Sequence, residues 1–382
     1  MRSIFGIILC AVMLITPITS EVCAPGEVDY EATEVTVTGI DFASGDSSQG
    51  IPGIMNSYYR DDDGTIVAVW RDSFGLVTKN QVSLIRIAED GTIVNKKTIF
   101  ENLNVRPEEG PWTTFNISVP DSVFKNARGN TVLFGHYMRY QDIDAEYKGY
   151  IYAFEEYDAD FNLVKSVEHG ANLPAGSLQY YISMDDNGYF YTGVGSGVFV
   201  YNADFEFLGV IDDMPVPEGY GFFMPIAGSD NSCYAYFYSK EDRDIYKLDP
   251  ASLTSEYAFT LPLTRSAALW RGDMRDGALF YAVGALTGRR EKESSGLLLR
   301  IDLSGEATKV MDWEEQGIAP YFHGTGYTTE EDYEENWKGK PAAQYSESGN
   351  FYNLVIEDAD GDSDTLDDRV LKLYSFYRVP RL

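Results

Sequence analysis

Short alternating runs rich in Tyr, Phe, Val and Ile recur along the chain, each bounded by Gly, Asn or Asp, and no long stretch sustains an apolar period near that of a helix. Alternation in short runs punctuated by turn residues predicts strands, so the chain reads as all-β. The most regular feature is a polar turn leading into an apolar strand: DDDG-TIVAVW (61–70), NARG-NTVLFG (126–135), DDNG-YFYTGV (185–194), SDNS-CYAYFY (229–238), RDG-ALFYAV (275–283) and SESG-NFYNLV (346–355). After each comes a segment of variable length and a second alternating run: VSLIRI (82–87), YIYAFE (150–155), GVFVYN (197–202), DIYKLD (244–249), LLLRID (297–302) and RVLKLY (369–374). A polar turn and a weaker strand then close the unit, as in EDG-TIVNKKTI and NAD-FEFLGVI.

Six such units, about 57 residues apart on average, each with four short strands, resemble the blades of a β-propeller. The resemblance is architectural and covers nearly all of residues 21–382. The sequence contains no WD dipeptide, kelch double glycine or quinoprotein tryptophan motif, so it points to no particular propeller family. What the resemblance implies is one six-bladed domain, with the strands of each blade lettered A to D from the axis outward. The last unit runs out after its C strand, whereas Glu34–Ile40 alternates well and belongs to no blade of its own. Pairing 34–40 beside 369–374 would close the ring and cover two open edges. The first A strand is expected at 54–59 and the sixth at PYFHGTGY, around His323; Thr328-Thr-Glu-Glu331 fits a capping box and predicts a short helix. A pair of β-sandwiches, or a seven-bladed ring using 101–125 or 313–345, would also accommodate the pattern.

The opening MRSIFGIILCAVMLITPITS places Arg2 before an apolar run from Ile4 to Ile15, too short to span a bilayer, and predicts a signal peptide over 1–20. A secreted or periplasmic location follows, with no membrane insertion expected, since no later segment offers eighteen uninterrupted apolar residues. Cys10 would leave with the leader; Cys23 and Cys233 would then share an oxidising compartment, where a bridge between them is open. Loss of Arg2 leaves 29 basic residues against 60 acidic ones. Such a field excludes nucleic acid and anionic membranes as partners and leaves an extracellular carbohydrate or protein, bound by a monomer.

In a propeller the A–B and C–D turns emerge on one face and the B–C and D–A connections on the other. The short, uniform turns suit scaffolding, and variable loops on a rigid frame are where binding resides. On this assignment His136, His169 and His323 gather on the variable face, together with Arg71, Arg139, Arg265, Arg289 and Arg290. His136 and His323 could transfer protons, Tyr137 and Tyr321 (or Tyr327) could complete the relay, and Arg139 could clamp a carboxylate. Some polysaccharide lyases with propeller folds use His and Tyr in this way, and the likeness is in residue type alone. The plainer alternative makes these residues ordinary polar strand ends. Trp112, Trp270, Tyr180, Phe222 and Tyr321 fall near A-strand entrances, as sugar-stacking platforms or as packing between blades.

One connection stands out. DADGDSDTLDD (358–368) joins the last B and C strands and offers Asp358, Asp360, Asp362, Asp364 and Asp367 as oxygen ligands for calcium, the one candidate cofactor. With Gly361 at the sharp turn of an EF-hand-like loop, the first ligand position falls on Ile356, so the loop is not an EF-hand; a looser acidic cage or a solvated loop remains. The functional expectation is a secreted propeller that binds an extracellular ligand on its B–C/D–A face. The alternatives are a carbohydrate-active enzyme such as a lyase, and a calcium-dependent lactonase or esterase.

Overall fold

The computed structural model of the chain describes residues 28–40, 42, 53–61, 63–71, 79–103, 116–138, 150–169, 180–216, 221–227, 231–238, 243–261, 267–275, 278–285, 296–312, 344–345, 351–358 and 369–380. Twenty-four strands are described, and no helix among them. After β1 (Val28–Thr36) the first sheet holds β2 (Gly53–Arg60), β3 (Ile66–Arg71), β4 (Lys79–Ile87) and β5 (Ile93–Leu103). The second holds β6 (Asn116–Lys125), β7 (Thr131–Met138), β8 (Tyr150–Tyr157) and β9 (Leu163–His169). The third is β10 (Tyr180–Met184), β11 (Phe190–Val194), β12 (Gly197–Tyr201) and β13 (Phe207–Ile211). The fourth is β14 (Phe222–Ala227), β15 (Cys233–Tyr238), β16 (Arg243–Asp249) and β17 (Thr254–Leu261). The fifth is β18 (Ala267–Arg275), β19 (Ala278–Ala285), β20 (Gly296–Asp302) and β21 (Ala307–Asp312). The last combines β22 (Gln344–Tyr345), β23 (Phe351–Asp358) and β24 (Arg369–Pro380) with β1, in the order β1-β24-β23-β22.

Every sheet is antiparallel and the first five are meanders, and the first strands of neighbouring sheets touch in sequence: β2 with β6, β6 with β10, β10 with β14, β14 with β18. These are the inner strands of blades around a common axis. The fold is a β-propeller, with six four-stranded sheets among the described residues.

The core lies between blades. Val67, Val69, Val82 and Leu84 of the first meet Val123, Leu133 and Tyr157 of the second. Phe134, Tyr152 and Phe154 of the second meet Phe190, Phe199 and Tyr201 of the third. Tyr191, Val198 and Val200 of the third meet Phe223, Ala235 and Leu248 of the fourth. A B strand therefore buries both faces, which explains the unbroken apolar runs such as IVAVW. An outer strand such as β9 keeps an exposed face and reads as weaker alternation.

The N-terminal strand closes the last blade. It pairs with β24 over nine consecutive residues, from Val28↔Pro380 to Thr36↔Lys372. Lys372 Nζ lies 2.7 Å from Glu34 Oε1 and, by donating to it, holds that carboxyl below its usual range. The expected pairing partner is right, but its span is displaced: the strand is Val28–Thr36 instead of 34–40, because residues past Thr36 turn onto the first blade. There Val37 and Phe42 enter a cluster with Tyr58, Trp70, Tyr352, Leu354 and Leu371, so the last blade and the first share one core. Tyr352 Oη accepts from the Arg60 backbone N–H and Tyr58 Oη from that of Leu354, locking the same joint.

The inner strand of the last blade is a second departure. It is Gln344–Tyr345, directly before the SESG turn, and not the stretch around His323. The turns connecting A to B are short, so the A strand must end where the turn begins. The expected helix near 328–331, the signal segment, Cys23 and Trp112 lie outside the described residues. Cys233, with no disulfide partner among the described residues, is buried in the joint between the third and fourth blades.

Candidate functional site

The two ends of the sheets differ in the chain they carry. Five of the six A–B turns hold five residues (61–65, 126–130, 185–189, 228–232, 346–350) and the other holds two (276–277); the C–D turns hold four or five. The B–C connections range from two residues (195–196) to eleven (139–149), and the D–A connections from five (262–266) to thirty-one (313–343). One end is uniform and the other is free to vary.

The uniform end is built from one repeated turn. Asp61 N–H donates to Thr65 O and Gly64 N–H to Asp61 O, and the same two bonds recur from Asn126, Asp158, Asp185, Asn202 and Asp302. Ala88 leads a seventh such turn, so the backbone bonds suffice to close it; where Asp or Asn leads, the side chain can add acceptance of backbone N–H groups, as Asn202 Oδ1 does from Asp204 (3.0 Å) and Glu206 (2.9 Å). The fourth residue sits at positive φ, usually Gly, but Phe161 (60°) and Phe205 (68°) occupy it in two C–D turns, and Leu253 (55°) takes a positive φ one residue later in the turn led by Asp249. Their side chains wedge into the preceding blade, and Phe205 stacks on Phe154 at 5.0 Å with the rings nearly parallel.

Charges at this end are consumed by structure. Buried Glu156 accepts from Asn126 Nδ2 (2.8 Å), Asn130 Nδ2 (2.8 Å) and Arg128 Nε and Nη2 (3.0 and 2.9 Å). Burial works to raise its pKa, and these donors together outweigh burial and hold the carboxyl below its usual value. Asp185 accepts from Tyr191 Oη (2.9 Å), and burial raises both groups. Asp61 pairs with Lys125 at 2.6 Å.

The variable end carries a second, independent feature. The inner strands β2, β6, β10 and β18 all break register against their B strands; the break lies in the half nearest the variable connections in β10 and β18, and begins there and reaches the strand's middle in β2 and β6. In β2, Met55–Ser57 stand opposite Val69 alone, and in β6, Val119–Asp121 stand opposite Gly135 alone. In β10 and β18 the extra residues are Tyr181 and Trp270. Bulges re-aim side chains and expose backbone groups, and they concentrate beside functional sites. The described residues therefore direct attention to the axial mouth on the variable side.

His136 and Tyr137 lie there. They are near the end of β7, His136 paired with Ser118 of β6 at the edge of the bulge and with Tyr152 of β8, and Tyr137 with Ile117 and Ile151. Arg71 ends β3 at the same rim. Arg139, Tyr321, His323 and Tyr327 fall outside the described residues, as do Asp360, Asp362, Asp364 and Asp367; Asp358 is the last residue of β23, opposite Arg369. Among the described residues, no group of three or more His, Cys, Asp or Glu converges as a metal cage.

His169 does not join the mouth. Its Nε2 lies 2.7 Å from the Phe205 carbonyl, and its ring packs on Phe154 and Tyr201, at the outer joint between the second and third blades. Burial holds its pKa below the ordinary value, partly opposed by that carbonyl. Phe222 is buried packing as well. The inner-strand bulges were the feature that sequence reasoning missed; Pro120 inside a strand pattern was the one local hint, since proline in a strand marks a bulge or an edge.

No protein-family model matches the chain, and no curated protein matches it. Among solved structures it is similar to a protein of unknown function from Dyadobacter fermentans, at 9% identity over 93% of this chain and 100% of that one, with a TM-score of 0.49. An α-L-arabinanase of Penicillium chrysogenum in complex with arabinobiose is similar at 12% identity over 91% and 98%, TM-score 0.46. The GH93 α-L-arabinofuranosidase of Fusarium graminearum gives 12% over 92% and 98%, TM-score 0.45.

Proposed function

We propose that the protein is a secreted or periplasmic, monomeric β-propeller that binds an extracellular carbohydrate or protein at the axial mouth on its B–C/D–A side. One observation carries the reading: register breaks in four inner strands begin in the half nearer the end that bears every long, variable connection, while seven described turns at the opposite end share one pair of backbone bonds. His136 and Tyr137 supply polar contacts beside the second blade's bulge, and Arg71 supplies positive charge at the rim of an otherwise acidic molecule. Calcium held by Asp358 and the acidic residues that follow it is part of the same proposal.

The test is a panel of soluble polysaccharides and extracellular proteins, followed by titration calorimetry on any binder. His136→Ala and Tyr137→Phe should weaken binding about tenfold or more each, as expected for losing one well-made polar contact. Glu89→Gln, on the uniform turn face, should leave affinity unchanged. Loss of binding in Glu89→Gln with retention in His136→Ala would place the ligand on the wrong side and end the reading. Appearance of unsaturated or reducing ends during the titration would turn the binding site into an active site.

A further inference from the structure

The outer edges of the blades are not alike. In each of the first five sheets the ladder to the outer strand is broken by a register shift, and the shift leaves an unpaired extra residue such as Val94, Val164 or Leu208. Bulges of this kind twist an edge away from further pairing, which is how soluble β proteins keep edges from recruiting other strands. β1 has no such break: its nine residues pair with β24 without interruption.

The direction of the backbone groups that have no partner among the described residues follows from one bond. Val37 N–H donates to Leu371 O (2.7 Å), which continues the register of the ladder, so residues 29, 31, 33 and 35 point their N–H and C=O at β24. Residues 28, 30, 32, 34 and 36 point theirs outward. The next outward residue, Thr38, already uses that side: its N–H donates to Gly91 O (2.9 Å) and it forms a parallel bridge with Thr92. The outer side of this segment thus pairs with backbone at one end, and Val28–Glu34 continues the same line.

We infer that β1 accepts an extended segment of another protein as a fifth strand of the closing blade, and that the segment is basic. Strand addition takes its affinity from main-chain hydrogen bonds and its selectivity from alternate side chains. On β1 those alternate positions include Glu31 and Thr33, both exposed, whereas Glu34 on the other side is already matched by Lys372. A lysine on the incoming strand would stand across from Glu31, where opposite charges favour a cross-strand pair. A second copy of this chain would instead set acid against acid. This surface lies at the periphery and is separate from the axial mouth.

The probe is a synthetic peptide, acetyl-Lys-Val-Lys-Val-Thr-Val-Lys-amide, added to the full chain while hydrogen exchange is followed residue by residue by NMR. Exchange of the Tyr30, Ala32 and Glu34 amides should slow at least about tenfold, the level that marks a newly formed hydrogen bond. A peptide N-methylated at every second residue, or one with Glu for Lys, should give no slowing. Ala32→Pro removes one outward N–H without touching the ladder to β24, since proline is tolerated where an edge N–H faces out. That variant should keep the slow exchange of Glu31, Thr33 and Val35 and lose the response to peptide. Glu31→Lys should move the preference to the Glu peptide. Equal slowing by the N-methylated peptide, no slowing at all, or protection of the outward amides by self-association without peptide would each overturn the inference.

Discussion

Phe205 is an aromatic residue held at φ 68° with no exposed surface, in a turn position that glycine fills elsewhere in the ring. The left-handed conformation costs a residue with a Cβ about 1–2 kcal/mol. Against this stand about 2–3 kcal/mol for burying the ring and about 0.5–1.5 kcal/mol for stacking on Phe154, so the wedge is a net gain. Phe205→Ala should remove the ring and keep the strain, costing about 3–5 kcal/mol as for other buried phenylalanines. Phe205→Gly loses the same ring but relieves the strain, and should be more stable than the alanine variant by about 1 kcal/mol. The control is Phe199 in β12, equally buried but at an ordinary strand φ, where glycine should fall below alanine by about 0.5–1 kcal/mol. Urea midpoints of the four variants, read by tyrosine and tryptophan fluorescence, decide the matter. If Phe205→Gly is no more stable than Phe205→Ala, the turn is not strained and the wedge argument fails.

Gly91 and Gly129 share nearly the same positive φ, but a Cβ at Gly91 would stand 2.4 Å from Thr36 O, whereas nothing lies within 4 Å of one at Gly129. Gly91→Ala should therefore cost about 2 kcal/mol more stability than Gly129→Ala, a gap within the range of overpacking costs, and calorimetry of both measures it. His169 has a folded pKa below that of the unfolded chain, so the unfolded state binds the extra proton. Its contribution to stability is complete at neutral pH, declines as pH falls through about 6.5, and is gone below the folded value. The melting temperature of the native chain should drop more between pH 7.5 and 5 than that of His169→Gln, and equal drops would contradict the placement on Phe205. The Cys233 thiol, raised by burial, should resist alkylation in the native protein and react in urea. Absence of reaction in urea without reductant would instead reveal a bridge to Cys23.

Much of the frame was legible because its two strongest signals are local. The Asx-led turns are fixed by short-range hydrogen bonds, and B strands that bury both faces leave unbroken apolar runs, so six units could be counted from residues such as Asp61, Asn126 and Asp185. The closing partner of β24 was readable from the missing outer strand, but its span was not, since Val28–Tyr30 and Val37–Ile40 alternate equally well and tertiary contacts with Gly91 decide where the ladder ends. His169 was misplaced for a related reason: a histidine ending a strand looks the same whether it meets solvent or a neighbouring blade's carbonyl. The wedges in DADF and NADF were visible as repeats, but nothing in them announces positive φ for a phenylalanine. Inner-strand bulges are relations between two strands, and a single run such as NISVPDSVFK carries them only through Pro120.

The claim that supports all the others is that the N-terminal strand completes the last blade and so gathers the variable connections at one end. Thr36 and Lys372 form a non-hydrogen-bonded pair of that ladder, where Cα atoms stand about 4.5 Å apart, within the span a disulfide accepts. In a Cys23→Ser background, Thr36→Cys with Lys372→Cys should oxidise to a single intramolecular bridge. The bridge closes a loop of nearly the whole chain and should raise stability by up to about 5 kcal/mol on loop entropy, with reductant reversing the gain. Two freely alkylated thiols under oxidising conditions, with no change in melting temperature, would contradict the closed ring.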